Sequence, residues 1–280
     1  MNTEKILPTK TEFPLWNAGY VKYIDHMGND DTPLYAARMS TLNPTGVDVK
    51  KDDGLREYLW RHGHHSVFEQ AILSVEVQVP LFIARQILRH RTLSPNEHSQ
   101  RYAVPINEYY VPDFEDIKSQ NDVDKQCSDG ELPDELRELF LADARDQKIL
   151  SSSRYQKFHQ DGNGVAREMC RIFEPVSSYT RIYLTSDLRN WFNFLRLRLA
   201  KDAQKEIREV AEAIFAIIKE LFPKCAQLFL EYTINGKSFG EEELRVIKNF
   251  MCGIGLTIDD LPDSWSKRNK REFMQKLGMV

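Results

Sequence analysis

Two hydrophobic rhythms limit what this chain can fold into. In "AILSVEVQV" (residues 71–79) Leu73, Val75, Val77 and Val79 alternate with Ser74, Glu76 and Gln78. A period of two predicts a half-buried strand. In "DAQKEIREVAEAIFAIIKELF" (202–222) Ile207, Val210, Ile214, Ile217 and Leu221 recur at spacings of three and four. That is the stripe of a long amphipathic helix, ended by Pro223. One chain with both rhythms asks for helices packed on strands.

Local signals fill in the rest. "TPLYAARMST" (32–41) predicts a short helix and "NPTGVDVKKDDG" (43–54) a loop. "LREYLWRHGHHSVFEQ" (55–70) reads as a helix broken at Gly63 and restarted, with Ser66 and Glu69 at the spacing of a capping box. Pro80 opens a helix over 81–91, and Ser94-Pro95-Asn96 turns it into a loop. From about 113 to 133 the chain is acidic and poor in apolar residues, the mark of a surface insertion. Helical patterns return at 134–150 and 164–173. "YTRIYLT" (179–185) has strand character, and Asp187 is placed to cap a helix over 188–200. After Gly236 two short helical segments follow, the last one basic. The expected division is one domain over 1–235 and a helical extension over 236–280.

With 41% hydrophobic and 29% charged residues over 280 positions, the composition is that of a globular chain able to bury a core. No apolar run reaches membrane-spanning length. "MNTEKILPTKTEFPLW" has no secretory apolar core, and the four cysteines show no C-x-x-C spacing. A cytoplasmic setting without disulfides or structural zinc is the expectation. The net charge of −4 disfavours a general nucleic-acid binder.

Against that acidic background, "RQILRHRTLSPNEHSQRY" (85–102) holds four arginines and two histidines. On a helix over 81–91, Arg85 and Arg89 share a face beside Gln86, with Arg91, Ser99 and Arg101 following. Guanidinium forks and a hydroxyl suit phosphate oxygens. A solvated basic face is the commoner origin of such a cluster. The apolar residues Leu81, Phe82, Ile83, Ile87 and Leu88 favour charges turned toward an internal pocket, and Glu97 offers an acceptor for a ligand amide or ribose. "HGHH" (62–65) lacks the further ligands a metal would need, so no metal is assigned. In "DLRNWFNFLRLR" (187–198) Arg189 and Asn193 lie four apart and Arg198 a quarter-turn from Leu197, an arrangement that can stack bases but is more often a core helix with snorkelling arginines. The chain has no G-x-G-x-x-G, P-loop or G-x-S-x-G motif, and no Cys–His nucleophile context. Residue by residue, the reading stops at an anion pocket with donors suited to a nucleotide.

Arg89-His90-Arg91, seven residues and then Ser99 form R-H-R-x7-S, and "RHRTLSPNEHSQRY" resembles the pattern of flavin-dependent thymidylate synthases at every diagnostic position. "HGHHSVFEQ" upstream and "REMCRIFEPVSSYTRIYLTSDLRNWFNFLRLR" downstream extend the resemblance over roughly residues 30–235. It implies an α+β fold, a mixed α/β single domain with a central sheet flanked by helices, assembled as a homotetramer with sites shared between subunits. It implies conversion of dUMP to dTMP with methylenetetrahydrofolate as carbon donor and NADPH reducing bound FAD, which delivers the hydride without an enzyme cysteine. Carried over by position, Ser66, Arg89, His90, Arg91, Glu97, Arg189 and Asn193 would contact the flavin, with His64 near it. Gln86, Arg89, Glu97, Ser99, Arg101, Arg171 and Arg198 would meet dUMP, and Arg198 would polarise the uracil ring. Two departures stand out. Asp187 replaces the Asn or Ser common in relatives, and Glu174 introduces a carboxylate that either pairs with Arg171 or faces solvent. A non-catalytic flavin or nucleotide sensor and an RNA-binding module built on the arginine–aromatic helices are the competing functions.

Overall fold

The computed structural model describes residues 7–40, 49–122, 125, 127–159 and 164–279. The chain divides into two compact units, 1–234 and 235–280. The first is a five-stranded antiparallel sheet with helices. In chain order its elements include β1 (Glu12–Leu15), β2 (Gly19–Met27), α1 (Thr32–Met39), α2 (Val49–Arg61), β3 (Ile72–Pro80), α3 (Leu81–Ile87) and β4 (Ser94–Glu97). Then come β5 (Ser119–Gln120), β6 (Ser128–Gly130), α4 (Asp134–His159), α5 (Arg167–Cys170), β7 (Tyr179–Asp187), α6 (Leu188–Arg198), α7 (Lys205–Leu221) and α8 (Pro223–Phe229).

The sheet order is β1-β2-β3-β7-β4, so β7 enters between two strands that precede it by more than 80 residues. The β1–β2 turn holds Trp16 at φ 48°, and a Cβ on Gly19 would lie 2.7 Å from the Trp16 ring. Glycine is therefore the residue this turn accepts. On the inner face Val75, Val77, Ile182 and Leu184 meet Phe194 and Leu195 of α6 and the Ile207, Val210, Ile214 and Ile217 stripe of α7 in one core. Trp191 of α6 is fully buried and donates to the Leu73 carbonyl at 3.0 Å, pinning α6 to the central strand.

The strand over 71–79 is more enclosed than half-buried. Ser74 and Gln78 on its polar face are also buried. Ser74 hydrogen-bonds Thr185 at 2.8 Å, and Gln78 donates to the Ala18 carbonyl and accepts from Arg181. A central strand has neighbours on both sides, whose side chains cover its polar row.

Other expectations shift for similar tertiary reasons. The helix expected over 81–91 ends at Ile87, because the His90 amide bonds back to the Ile87 carbonyl and the His90 ring packs edge-on against Phe194. The loop expected at Ser94-Pro95-Asn96 is edge strand β4, where proline is tolerated because only β7 pairs with it. The loop expected over 43–54 gives way to α2 from Val49, and positions 43–48 lie outside the described residues. Gly63, at φ +71°, breaks the backbone as expected, but the restart is a 3-10 helix, His65–Gln70, without a side-chain cap. Glu69 bonds instead to Arg189. The 134–150 helix runs on to His159, while 164–173 yields the short α5 and a 3-10 turn. Pro223 opens α8 as well as closing α7. The 113–133 segment holds a 3-10 turn and the small β5–β6 sheet, and Lys205 of α7 bonds Asp116 at 2.7 Å.

The second unit contains α9 (Glu241–Gly253) and α10 (Lys267–Lys276). Glu243 accepts from the Gly240 amide and Ser266 caps α10 through Asn269. Leu261, Met274 and Leu277 are its buried apolar residues. Among the described residues, no helix is long and apolar enough to cross a membrane.

Candidate active site

The residues singled out by sequence fall into three groups, arranged around the β4–β7 pair and α6. The first lines a cleft of about 690 Å³. Its polar wall is α6 with Arg189, Asn190, Asn193 and Arg196, and Asp187 beneath them. Its apolar wall is Trp60, Phe68, Phe192 and Phe229, and Thr92 closes one side. Asp187 caps α6, with Oδ1 accepting from the Asn190 amide at 2.9 Å and Oδ2 from the Asn190 side chain at 2.7 Å. His65 and Glu69 also line the cleft. Burial and the Arg189 charge lower the His65 pKa from its ordinary value. His64 and Ser66 are exposed next to them, and His64 leans on Tyr58 with ring centroids 5.8 Å apart.

The second group surrounds Arg198 in the last turn of α6. Its Nε donates to His90 Nε2 at 3.0 Å. One terminal nitrogen donates to the Gln86 carbonyl at 3.2 Å and the other to Gln86 Oε1 at 3.5 Å. Gln86 in turn donates to Gln204 at 2.6 Å. Partial burial lowers the Arg198 pKa, while burial, and then the Arg198 charge, hold His90 down at about 4. A neutral imidazole that accepts from a guanidinium is the state these shifts support.

The third group lies beyond the far end of β4. Arg101 pairs with Glu168 at 3.3 Å, and Arg171 donates to the Glu168 carbonyl at 3.1 Å. Ser99 accepts from the Arg101 amide at 3.3 Å. Glu97 sits between the groups, accepting from Thr180 at 2.8 Å. From Asp187, the β7 residue that lines the cleft, to Thr180 is seven residues, about 23 Å of strand. One chain thus keeps the Arg189–Asn193 cleft apart from the Ser99–Arg101–Arg171 cluster.

Arg85, Arg89 and Arg91 correct the expectation of an inward-facing cluster. All three are exposed, and among the described residues none of their side chains makes a hydrogen bond or ion pair. Arg85 is exposed on α3 itself, and with α3 ending at Ile87, Arg89 and Arg91 follow the turn outward while His90 turns in. Glu174 takes neither expected course: it accepts from Ser178 at 2.7 Å and Tyr109 at 3.2 Å, away from Arg171. Sequence reading missed Glu69, Thr92, Arg196, Glu168 and Gln204 as neighbours of these groups. Glu69 carried a signal, an acid at a capping position, but its partner lies 120 residues away.

A family model described as "Thymidylate synthase complementing protein" matches residues 22–224. A flavin-dependent thymidylate synthase of Treponema denticola is 39% identical over 243 residues, covering 86% of this chain and 90% of that protein. Another, from Thermus thermophilus, is 39% identical and covers 85% of each chain. A crystal structure of the UMP/dUMP methylase PolB from Streptomyces cacaoi, bound with 5-Br dUMP, superposes with a TM-score of 0.71 at 29% identity, covering 79% of this chain and 98% of that one. The sheet order, the cleft on α6 and these matches lead to one conclusion: the chain belongs to the flavin-dependent thymidylate synthase family.

Proposed function

We propose that the protein makes dTMP from dUMP, with FAD held in the α6 cleft and Arg198 acting on the uracil ring. Methylenetetrahydrofolate is the carbon donor and NADPH the reductant in this reading. The observation that carries it is the clamped guanidinium of Arg198. A cation fixed before the reaction favours negative charge at N3 of the pyrimidine, which makes C5 a better carbon nucleophile. Preorganised charge of this kind contributes on the order of 3 kcal/mol to a barrier. Bound FAD would supply the hydride.

The cleft suits that cofactor. Its volume lies within the ~300–1,000 Å³ of ligand pockets, and it offers two guanidiniums for a diphosphate, two amides for ring edges and an aromatic wall. Glu69, paired with Arg189 and partly exposed, is the acceptor a flavin phosphate would have to displace. Cysteine chemistry has no support here. Cys170 and Cys225 are buried, and burial raises the Cys225 thiol pKa well above its ordinary value. Cys127 lies in the 113–133 segment and Cys252 in α9.

Ser99, Arg101 and Arg171 take the dUMP phosphate in this reading, with Gln86, Arg89 and Glu97 completing the nucleotide's contacts. Ser66, Arg89, Arg91, Arg189 and Asn193 attend the flavin, with His64 near it. The separation along β7 favours a homotetramer in which one chain's cleft meets another chain's nucleotide residues. The purified protein is expected to be yellow, to change its flavin absorbance on adding dUMP, and to form dTMP when both co-substrates are present. A protein that stays colourless and inactive after FAD addition overturns the reading. Arg198→Ala is expected to keep flavin and lose turnover.

A further inference from the structure

The resemblance assigns Arg89, His90 and Arg91 together to the flavin, but the geometry separates the middle residue from its neighbours. His90 is only 9% exposed and packs its ring against Phe194, with centroids 4.8 Å apart at 66°. Its main chain is tied on both sides, the amide to Ile87 and the carbonyl to Leu93. Of its two ring nitrogens, Nε2 accepts from Arg198. A ring nitrogen that accepts carries no proton, so the imidazole proton sits on Nδ1.

The three clamping bonds use the Nε–H of Arg198 and one N–H on each terminal nitrogen. A guanidinium has five such donors, so one N–H on each terminal nitrogen is left for a ligand. Two bonds donated to Gln86 hold the terminal nitrogens, and the bond donated to His90 holds the Nε side. Removing the third clamp frees the fork to turn and leaves a partly buried Nε–H without an acceptor.

We propose that His90 is a positioning residue for Arg198: its Nε2 fixes the plane of the guanidinium and so aims the two remaining donors at the pyrimidine. The proposal rests on the reading of Arg198 as the group that polarises the uracil ring. It assigns His90 to orientation of the nucleotide chemistry and leaves flavin retention to the cleft residues.

The test compares His90→Ala, His90→Gln and Arg198→Ala in the full-length, FAD-loaded protein. Bound flavin per chain, kcat and the KM for dUMP are measured for each. Glutamine places its amide oxygen near the position of Nε2 and can accept the same hydrogen bond. His90→Ala is expected to keep its flavin and its KM while kcat falls on the order of 10–100-fold, the worth of one bond to a charged group. His90→Gln is expected to recover most of that loss. If the alanine variant does not fold, His90→Leu, similar in bulk and without an acceptor, replaces it. A His90→Ala protein that sheds flavin, while its flavin-bound fraction turns over at the wild-type rate, overturns the proposal. So does a glutamine variant as slow as the alanine one. Arg198→Ala separates the two claims. If that variant keeps wild-type kcat, the reading of Arg198 fails. If it is inactive while His90→Ala is fully active, only the role of His90 fails.

Discussion

His90 is held neutral well below the ordinary histidine range, and that gives it a signature in stability. Its folded pKa of about 4 lies below the ordinary 6.5, so the folded state disfavours the imidazolium. The group facing it from α6 is Arg198, whose charge adds to the effect of burial. Above pH 6.5 neither folded nor unfolded chain protonates the ring, and stability is full. As pH falls from 6.5 toward 4 the unfolded chain gains a proton that the folded chain refuses, so stability declines across that window and levels off below it. The urea midpoint of the wild type is expected to fall over that range more steeply than that of His90→Gln. Parallel curves would show that the ring is free to protonate in the fold. Asp187 poses a simpler case at the same scale. It caps α6 through Asn190, so Asp187→Ala is expected to cost about 1 kcal/mol in denaturant unfolding, whatever its effect on the flavin. That cap was legible because its two ends lie three residues apart. Glu69 was misread because its partner, Arg189, is reached only through the fold.

At the scale of elements, the sequence shows its own periodicities and hides its partners. β3 and α7 could be read from their apolar spacing, since that spacing is the face each turns to the core. β4 could not: four exposed residues including Pro95 have no strand pattern, and their order comes from pairing with β7, 85 or more residues later. The end of α3 was hidden for the same reason, its stop being a contact of His90 with α6. Arg56 of α2 is a further case, a charged residue 1% exposed. It donates to the Asp30 carbonyl at 3.0 Å and to the Asp53 and Asp31 carboxylates at 2.7 and 3.2 Å. Asp30 in turn accepts from the Lys224 and Cys225 amides at the start of α8. One guanidinium therefore joins α2, the turn before α1 and α8. Arg56→Ala removes a fully buried side chain and its three hydrogen bonds, and the expected loss is about 3 kcal/mol in urea unfolding. A loss within 1 kcal/mol would show that Lys224, which bonds Asp53 at 2.7 Å, carries the charge balance alone.

At the scale of the whole molecule, the question is how many chains one site needs. The α6 cleft and the Ser99–Arg101–Arg171 cluster are separated along β7, and the side chains of Arg85, Arg89 and Arg91 point outward with no partner among the described residues. Both facts fit a site completed by a second copy, and neither is visible in a motif, because R-H-R-x7-S runs through both halves without marking which copy each serves. In a closed symmetric oligomer each residue then has two addresses, its own chain and the site it helps to build. Light scattering is expected to show four 32.7-kDa chains per particle. The stronger check mixes two variants that are inactive alone, Arg189→Ala in the cleft and Arg171→Ala in the phosphate cluster. After dissociation and reassembly together, some sites draw the cleft from the Arg171→Ala chain and the Arg171 cluster from the Arg189→Ala chain, and both halves of those sites are intact. Turnover should therefore reappear in the mixture, and no such recovery is possible if each chain builds its site alone.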